Sequence, residues 1–362
     1  MKNTEKVLVA MSGGVDSAVA LLKIIESGYA AIGVTMKLWE YNNVGGNTLK
    51  DTNCCAIESI NNAKLVCERL GVPHYTIDFT EDFKEKVIDD FVDEYLAGRT
   101  PNPCVRCNSY VKWDSFIEQA DKLGAKYIAT GHYAIINDKY ELIRGKDKHK
   151  DQSYVLWGIS KETLKRTILP LGKLTKKEVR KIASDNNFEN ANTPESMEIC
   201  FIPDNNYKRF VREYAGDRID YSDEPGKILN EDGEKIGENE GYINYTVGQR
   251  KGIGLSSPNP LYVKKIDSKK NSITVTDKNS LLSKKCYVSN LNWLNNNFKL
   301  PLNLFAQIRY NGDISEVSVI KNENRILANF IKPQLAITPG QSIVFYDKNE
   351  VLQGGGIIEL YD

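Results

Sequence analysis

The feature that most restricts this chain is an apolar run, "KVLVAM", followed at once by "SGGVDS" and the helical pattern "SAVALLKIIESG". A strand that feeds a glycine turn and then a helix opens an α/β sheet, whose sequential strands lie parallel with helices on both faces. The alternation continues to about residue 136 through "AAIGVTMKLW", "IESINNAKLVCERLG", "PHYTIDFT", "EDFKEKVIDDFVDEYLAG", "SYVKWDSFIEQADKLG" and "KYIATGHYAII". Gly28, Gly71, Gly98 and Gly124 each stand where a helical run ends, the place a left-handed cap favours.

Residues 150–215 read as helical, with "TKKE" at 175–178 forming a capping box for "KKEVRKIASDN". Beyond "YAGDRIDYSDEPG" the character changes to short strands. "KILNEDGEKIG" and "LYVKKIDSKKNSITVTD" carry hairpin signals, and "LFAQIRY", "SEVSVI", "RILANFI" and "SIVFYDK" follow at regular spacing. The expected organisation is a parallel-sheet domain with a helical extension over 1–215, a small central β domain over 216–280 and a C-terminal β-barrel over 281–362.

Hydrophobic residues make up 41% of the chain and Lys+Arg balances Asp+Glu at 48 each, which argues against a disordered or membrane protein. Neutrality leaves nucleic acid open as a partner, because local density of Lys and Arg decides that, not the total. The N-terminal apolar run is too short for a signal peptide, and no run reaches a membrane span, so a cytoplasmic location is expected.

In "SGGVDS" two glycines let backbone N–H groups approach an anion, and the helix that follows adds its positive dipole end. The loop lacks the lysine of GxxxxGK[ST] and the spacing of GxGxxG. The plain alternative is a glycine-rich strand-to-helix turn with no ligand. With Ser12, Asp16 and Ser17 in place, the hexapeptide resembles the pyrophosphate loop of PP-loop ATPases, which split ATP between its α and β phosphates and adenylate a substrate oxygen.

The seven cysteines are Cys54, Cys55, Cys67, Cys104, Cys107, Cys200 and Cys286, against only three histidines. An odd number without a secretion signal points to buried, metal-binding or reactive thiols rather than a disulfide framework. Cys67 falls on an apolar helix face and Cys286 at the opening of a barrel strand, so both read as inert. Cys54 and Cys55 carry no decision. In "NPCVRCN", read as a loop ahead of a helix, Arg106 and the helix end would draw a thiol below its free pKa of about 8.5. Zinc is the ordinary reading of CxxC, but no second CxxC or His pair completes the site.

Nine ordered blocks carry a closer resemblance: "MSGGVDSAVA", "GVTMKLWE", "GRTPNPCVRCN", "ATGHYA", "KDQSYVLW", "ESMEICFIP", "YTVGQRKG", "IRY" and "PGQSIVFY". Together they resemble the tRNA-specific 2-thiouridylase family, MnmA. That resemblance implies ATP and Mg²⁺ as cofactors, tRNA as substrate, and replacement of the 2-oxygen of the wobble uridine by sulfur from a donor protein. It also implies a PP-loop domain, a central β domain and a C-terminal barrel.

Residue by residue, the resemblance assigns ATP to Ala10, Met11, Ser12, Gly13, Gly14, Val15, Asp16, Ser17, Met36 and Gly131. It makes Cys200 the persulfide carrier and Cys107 the nucleophile, the two ending as a disulfide. Base and tRNA contacts fall on Asn102, Pro103, Cys104, His132, Lys150, Asp151, Gln152, Arg309, Tyr310 and Gln341. Where the family pattern has Asp, this chain has Cys104. Two routes therefore stand open, the persulfide route and a [4Fe–4S] cluster held by Cys104, Cys107 and Cys200. An amidating PP-loop ligase is the alternative enzyme class, and a catalytically dead tRNA-binding module a third reading. The basic stretches "KKEVRK", "KRFVR" and "QRKG" offer phosphate contacts.

Overall fold

Strand β1 (Lys6–Ala10) is apolar along its length because it is covered on both faces, and Val7, Leu8 and Val9 have no exposure at all. It pairs in parallel with β2 (Ala30–Lys37), which pairs in parallel with β3 (His74–Asp78), while β4 (Tyr127–Ala129) runs parallel on its other side. A small hairpin follows, β5 (Ala134–Ile136) with β6 (Leu142–Arg144), and then β7 (Thr167–Ile168) joins the sheet beside β4. The order β3-β2-β1-β4-β7 reverses direction between β1 and β4. In open parallel sheets such a reversal leaves a crevice at the carboxyl ends of the strands.

The computed structural model describes residues 5–40, 57–192, 199–295 and 299–360; Cys54 and Cys55 lie outside them. The chain divides into two compact units: Met1–Val87 with Cys104–Asn205 and Asn349–Leu352, and Ile88–Pro103 with Asn206–Lys348 and Gln353–Asp362. The first holds the parallel sheet. Its core packs helix Val15–Glu26 and helix Ile57–Arg69 on the strands through Ala18, Val19, Leu22, Ala63 and Val66.

The second unit holds a four-stranded sheet and a barrel. In the sheet, β8 (Gly226–Leu229) and β9 (Lys235–Asn239) form one hairpin and β10 (Tyr262–Asp267) with β11 (Ser272–Thr276) the other, joined by a parallel β11–β8 pairing. The barrel comprises β12 (Leu282–Trp293), β13 (Leu302–Gln307), β14 (Ser315–Asn322), β15 (Arg325–Leu335), β16 (Ser342–Tyr346) and β17 (Leu352–Glu359). It closes in the order β12-β15-β14-β13-β16-β17 around Val319, Ala328, Phe330, Ile343 and Phe345. Closure leaves no unpaired edge.

The expected α/β class, central β region and closed barrel are all present. Three local expectations change. The stretch 150–215 is not uniformly helical: β7 interrupts it, because Thr167 and Ile168 complete the sheet edge beside β4. Cys286 sits well inside β12, fully buried and paired with Ala328, rather than at the strand's opening. "NPCVRCN" is a helix rather than a loop. Pro103, whose fixed φ suits a first helical position, opens the turn Pro103–Arg106, and a nine-residue π-helix, Cys107–Ser115, continues it into Phe116–Lys122.

The four glycines end helices as expected, each with positive φ. The capping box at helix Lys176–Asp185 also forms. Thr175 Oγ1 accepts from the Glu178 N–H at 3.3 Å, and the Glu178 carboxylate accepts from the Thr175 N–H at 2.6 Å. Thr175→Ala removes the first bond and should lower stability by about 1 kcal/mol, read as a shift of the urea midpoint at unchanged slope. An unshifted midpoint would show the cap to be idle.

Candidate functional site

The crevice at the β1/β4 reversal holds a cavity of about 220 Å³. Its walls come from the carboxyl ends of three strands and the residues just beyond them: Ala10 of β1 with Met11 and Ser12, Met36 of β2 with Leu38, and Thr130, Gly131 and His132 after β4. Asp16, Ser17, Lys112 and Gln152 complete the lining. Met11, Met36 and Leu38 are buried and supply an apolar wall, while Ser12 is exposed at the phosphate loop.

The loop is held tightly. Ser17 Oγ donates to the Gly14 carbonyl at 2.9 Å and accepts from the Ser12 N–H at 3.2 Å. Gly13 has φ +76°, and a Cβ there would lie 2.2 Å from the Ser59 carbonyl oxygen, so the turn can press against helix Ile57–Arg69 only as glycine. Asn190, buried, donates from Nδ2 to the Gly13 carbonyl at 2.8 Å. Fastening that carbonyl fixes the peptide plane, and with it the direction of the Gly14 N–H, because a trans peptide points the two groups opposite ways. Gly131 is needed for a different approach: a Cβ there would come within 2.9 Å of the Asp16 backbone. Val15, by contrast, is a core residue on the first turn of the helix.

Asp16 is engaged from two sides. The Tyr133 hydroxyl donates to it at 2.7 Å, and Lys176 Nζ reaches both carboxylate oxygens at 2.8 and 2.7 Å. Lys176 is itself buried and lies over the Tyr133 ring. Sequence reasoning had Lys176 only as a member of the basic run "KKEVRK". Nothing local could have disclosed its partner, which lies 160 residues earlier.

His132 is half-buried, with Nδ1 2.8 Å from Thr130 Oγ1 and its ring tilted against Trp113 at 5.2 Å. Burial, reinforced by the nearby Lys112 charge, pushes its pKa down to about 3. The imidazole is therefore neutral at physiological pH. Trp113 is anchored in turn by a 3.0 Å hydrogen bond from Nε1 to Thr167 Oγ1.

The thiols divide into two groups. Cys67 and Cys286 are fully buried, and burial pushes each up to about 12, which makes them inert as expected. Cys104 is exposed on its helical turn, Cys107 is buried in the π-helix and Cys200 is half-buried. The thiol of Cys104 is not drawn down as expected: desolvation by the surrounding protein raises it, and the Lys112 charge only works against that rise. Among the described residues no three His, Cys, Asp or Glu side chains gather closely enough to hold a metal ion.

The residues assigned to tRNA are placed unevenly. Asp151 is buried and spent inside the fold, accepting from Arg144 Nε at 2.7 Å, the Gly145 N–H at 2.9 Å and Ser153 Oγ at 3.0 Å. Gln152 lines the cavity and accepts from the Tyr133 N–H, and Lys150 is half-buried. In the second unit, Gln341 donates to the carbonyls of Thr100 and Pro101 at 2.9 and 3.0 Å, steadying the segment that leads to half-buried Asn102 and buried Pro103. Arg309 donates to the Leu335 and Ala336 carbonyls, and Tyr310 is exposed. Of the basic stretches, "KRFVR" is partly neutralised: Arg209 pairs with Glu213 and Arg212 with Asp223.

A phosphate loop at the switch point of a parallel sheet, in a chain that also carries a β sheet and a closed barrel, defines a PP-loop, ATP-binding protein. Comparison with known proteins agrees. Residues 5–204 match the model of the tRNA methyl transferase HUP domain, 208–277 that of the tRNA methyl transferase PRC-barrel domain and 283–358 that of the aminomethyltransferase beta-barrel domain. A tRNA-specific 2-thiouridylase MnmA from Amoebophilus asiaticus is 46% identical over 97% of this chain and 95% of its own length. Those from Salinibacter ruber and Carboxydothermus hydrogenoformans are each 44% identical, covering 99% and 98% of this chain and 96% and 98% of their own. The chain belongs to the tRNA-specific 2-thiouridylase MnmA family.

Two outcomes are expected. Gly13→Ala should weaken ATP binding at least about tenfold in equilibrium dialysis, because the left-handed turn and the Ser59 contact both resist a Cβ. Between pH 6.5 and 3 the unfolded chain binds a proton at position 132 that the folded chain refuses, so stability falls as pH drops through 6.5. The His132 imidazole signals should stay unshifted in NMR titration from pH 8 down to 5; a midpoint near 6.5 would contradict the neutral assignment.

Proposed function

We propose that this chain forms 2-thiouridine at the wobble position of tRNA by adenylating the base in the β1/β4 crevice and then delivering sulfur from Cys200 with the help of Cys107. As a member of its family it is a tRNA sulfurtransferase that uses ATP. The observation that carries the residue-level reading is that one continuous helix bears Cys104 and Cys107 and also brings Lys112 to the wall of the nucleotide cavity. Activation and sulfur transfer then share an element. Relatives spanning nearly the whole chain are thiouridylases, so the amidating-ligase reading is not favoured.

The chemistry runs in two parts. The N–H groups of the loop from Ser12 to Gly14 and the helix N-terminus hold the pyrophosphate portion of ATP. The uridine 2-oxygen attacks the α-phosphorus, the bond to pyrophosphate breaks, and the oxygen becomes part of a good leaving group. Mg²⁺, when bound with the nucleotide, would neutralise its phosphates; Asp16, the carboxylate among the described lining residues, would have to share its oxygens between the metal and Lys176 to hold it. A base inside a stacked anticodon loop cannot reach such a crevice, so the uridine is extruded, and Asn102, Pro103 and Cys104 are the assigned base contacts.

A donor protein, itself a persulfide, passes its outer sulfur to Cys200. The Cys107 thiolate attacks the inner sulfur of the Cys200 persulfide, forming a Cys107–Cys200 disulfide and releasing hydrosulfide. Hydrosulfide attacks C2 of the adenylated base and AMP departs with the oxygen. A thiol reductant supplies the two electrons that restore both cysteines. The persulfide route needs only Cys107 and Cys200, whereas the cluster route calls on Cys104 as a third thiolate, and bound iron tells the two apart. No described helix is long and apolar enough to cross a membrane, and the reading places the enzyme in the cytoplasm with its tRNA.

The test is nucleoside mass analysis of tRNA incubated with ATP, Mg²⁺ and a persulfide donor. Wild type should yield 2-thiouridine while iron-free and colourless. Cys107→Ser and Cys200→Ser should each lose at least about a hundredfold in thiolation, yet still release pyrophosphate when tRNA is present. Activity that tracks bound iron would overturn the persulfide route, and undiminished thiolation by Cys200→Ser would remove its role.

A further inference from the structure

Lys112 is the one fixed positive charge among the described residues that line the nucleotide cavity. His132, beside it, is neutral at working pH, and Asp16 brings a negative charge that Lys176 already answers. The phosphate loop itself offers only neutral donors, Ser12, Ser17 and backbone N–H groups. A phosphoryl group under attack gathers negative charge on its oxygens, and stabilisation of that charge by a preplaced cation is the usual means of accelerating it. The cavity has one side chain suited to that task.

The helix bearing Lys112 is wound in an unusual way that bears on its direction. In a straight α-helix residues five apart diverge by about 140°, so Lys112 would turn away from the face carrying Cys107. Cys107–Ser115 is instead a π-helix, in which the hydrogen-bonding interval is five residues and side chains at that spacing lie much nearer one face. π-turns are costly irregularities that recur at functional sites. Behind desolvation, which is the larger cause at each, the charge of Lys112 also acts on both sides of this arrangement: on His132 in the cavity, and on Cys104 one turn before Cys107, whose thiol stays raised nonetheless.

We propose that Lys112 is a catalytic residue of adenylation, its ammonium contacting the α-phosphoryl group of ATP as the uridine oxygen attacks and remaining on AMP as it leaves. The proposal rests on the assignment of the β1/β4 crevice as the ATP site. Lys112 stays protonated throughout: one O–P bond forms, the bond to pyrophosphate breaks, and no proton or electron passes through the lysine. Because the transferring phosphorus and Cys107 are served from one helix, the same cation attends both the formation of the adenylate and its displacement by sulfur.

The experiment measures single-turnover pyrophosphate release in the presence of tRNA, ATP affinity by equilibrium dialysis, and thermal unfolding, for the full-length wild type, Lys112→Met, Lys112→Gln and Lys112→Arg. Methionine keeps the apolar stem and removes the charge. Expected are a loss of about 10²–10³-fold in the chemical step for Met and Gln, ATP affinity within about threefold of wild type, and an Arg variant at least about tenfold faster than Met. A Met or Gln variant that adenylates within threefold of wild type overturns the proposal. So does a loss that lies entirely in ATP affinity, and Gln serves if Met does not fold. Gly13→Ala run in parallel separates the two levels: undiminished ATP binding there refutes the crevice as the ATP site, whereas its loss together with a fast Lys112→Met refutes the role of the lysine alone.

Discussion

The Asp16 carboxylate fastens three distant parts of the chain at one point. It stands on the first helical turn after β1, receives the hydroxyl of Tyr133 from the segment after β4, and is gripped by Lys176 from the helix after β7. The Lys176 ammonium is the buried partner and would be expensive to leave there alone, whereas Asp16 stays about a third exposed to the cavity. The ion pair therefore does more than add stability. It sets the spacing between the phosphate loop and the opposite bank of the crevice, and so the width available to a nucleotide.

Much of this was legible beforehand, and the reasons differ by element. Local signals with a short physical mechanism came through: the glycine loop, the four glycine caps, the Thr175–Glu178 box and the two hairpins of the small β sheet. Each of these is decided by residues within a few positions of one another. The helical reading of 150–215 missed β7 because a two-residue strand carries no periodicity, and its existence depends on the edge that β4 leaves open. The loop reading of "NPCVRCN" set it ahead of the helix that it in fact opens, although proline at a first helical position is a start signal.

The site was legible in its carriers of chemistry and opaque in their supports. "SGGVDS" and the cysteines announced themselves by residue type. Lys176, Tyr133 and Asn190 did not, because ordinary residue types acquire a role only when the fold brings them to Asp16 and Gly13. Asp151 shows the reverse case: matched to a tRNA-contact segment, its carboxylate is consumed by Arg144, Gly145 and Ser153, and what it contributes to such a segment is shape. Lys112 was in view within "SYVKWDSF", yet counting at 3.6 residues per turn would have aimed it elsewhere.

The two buried thiols have a consequence of their own. An enzyme that handles a persulfide is exposed to scrambling, since any accessible thiolate competes for the mobile sulfur. Cys67 and Cys286 are removed from that competition, shielded from solvent and held so far from ionisation that almost no thiolate forms at neutral pH. On the proposed persulfide route, packing the interior with unreactive sulfur is a form of kinetic bookkeeping: among the described cysteines, the transferable atom would have only the helix of Cys104 and Cys107 and the segment of Cys200 on which to reside.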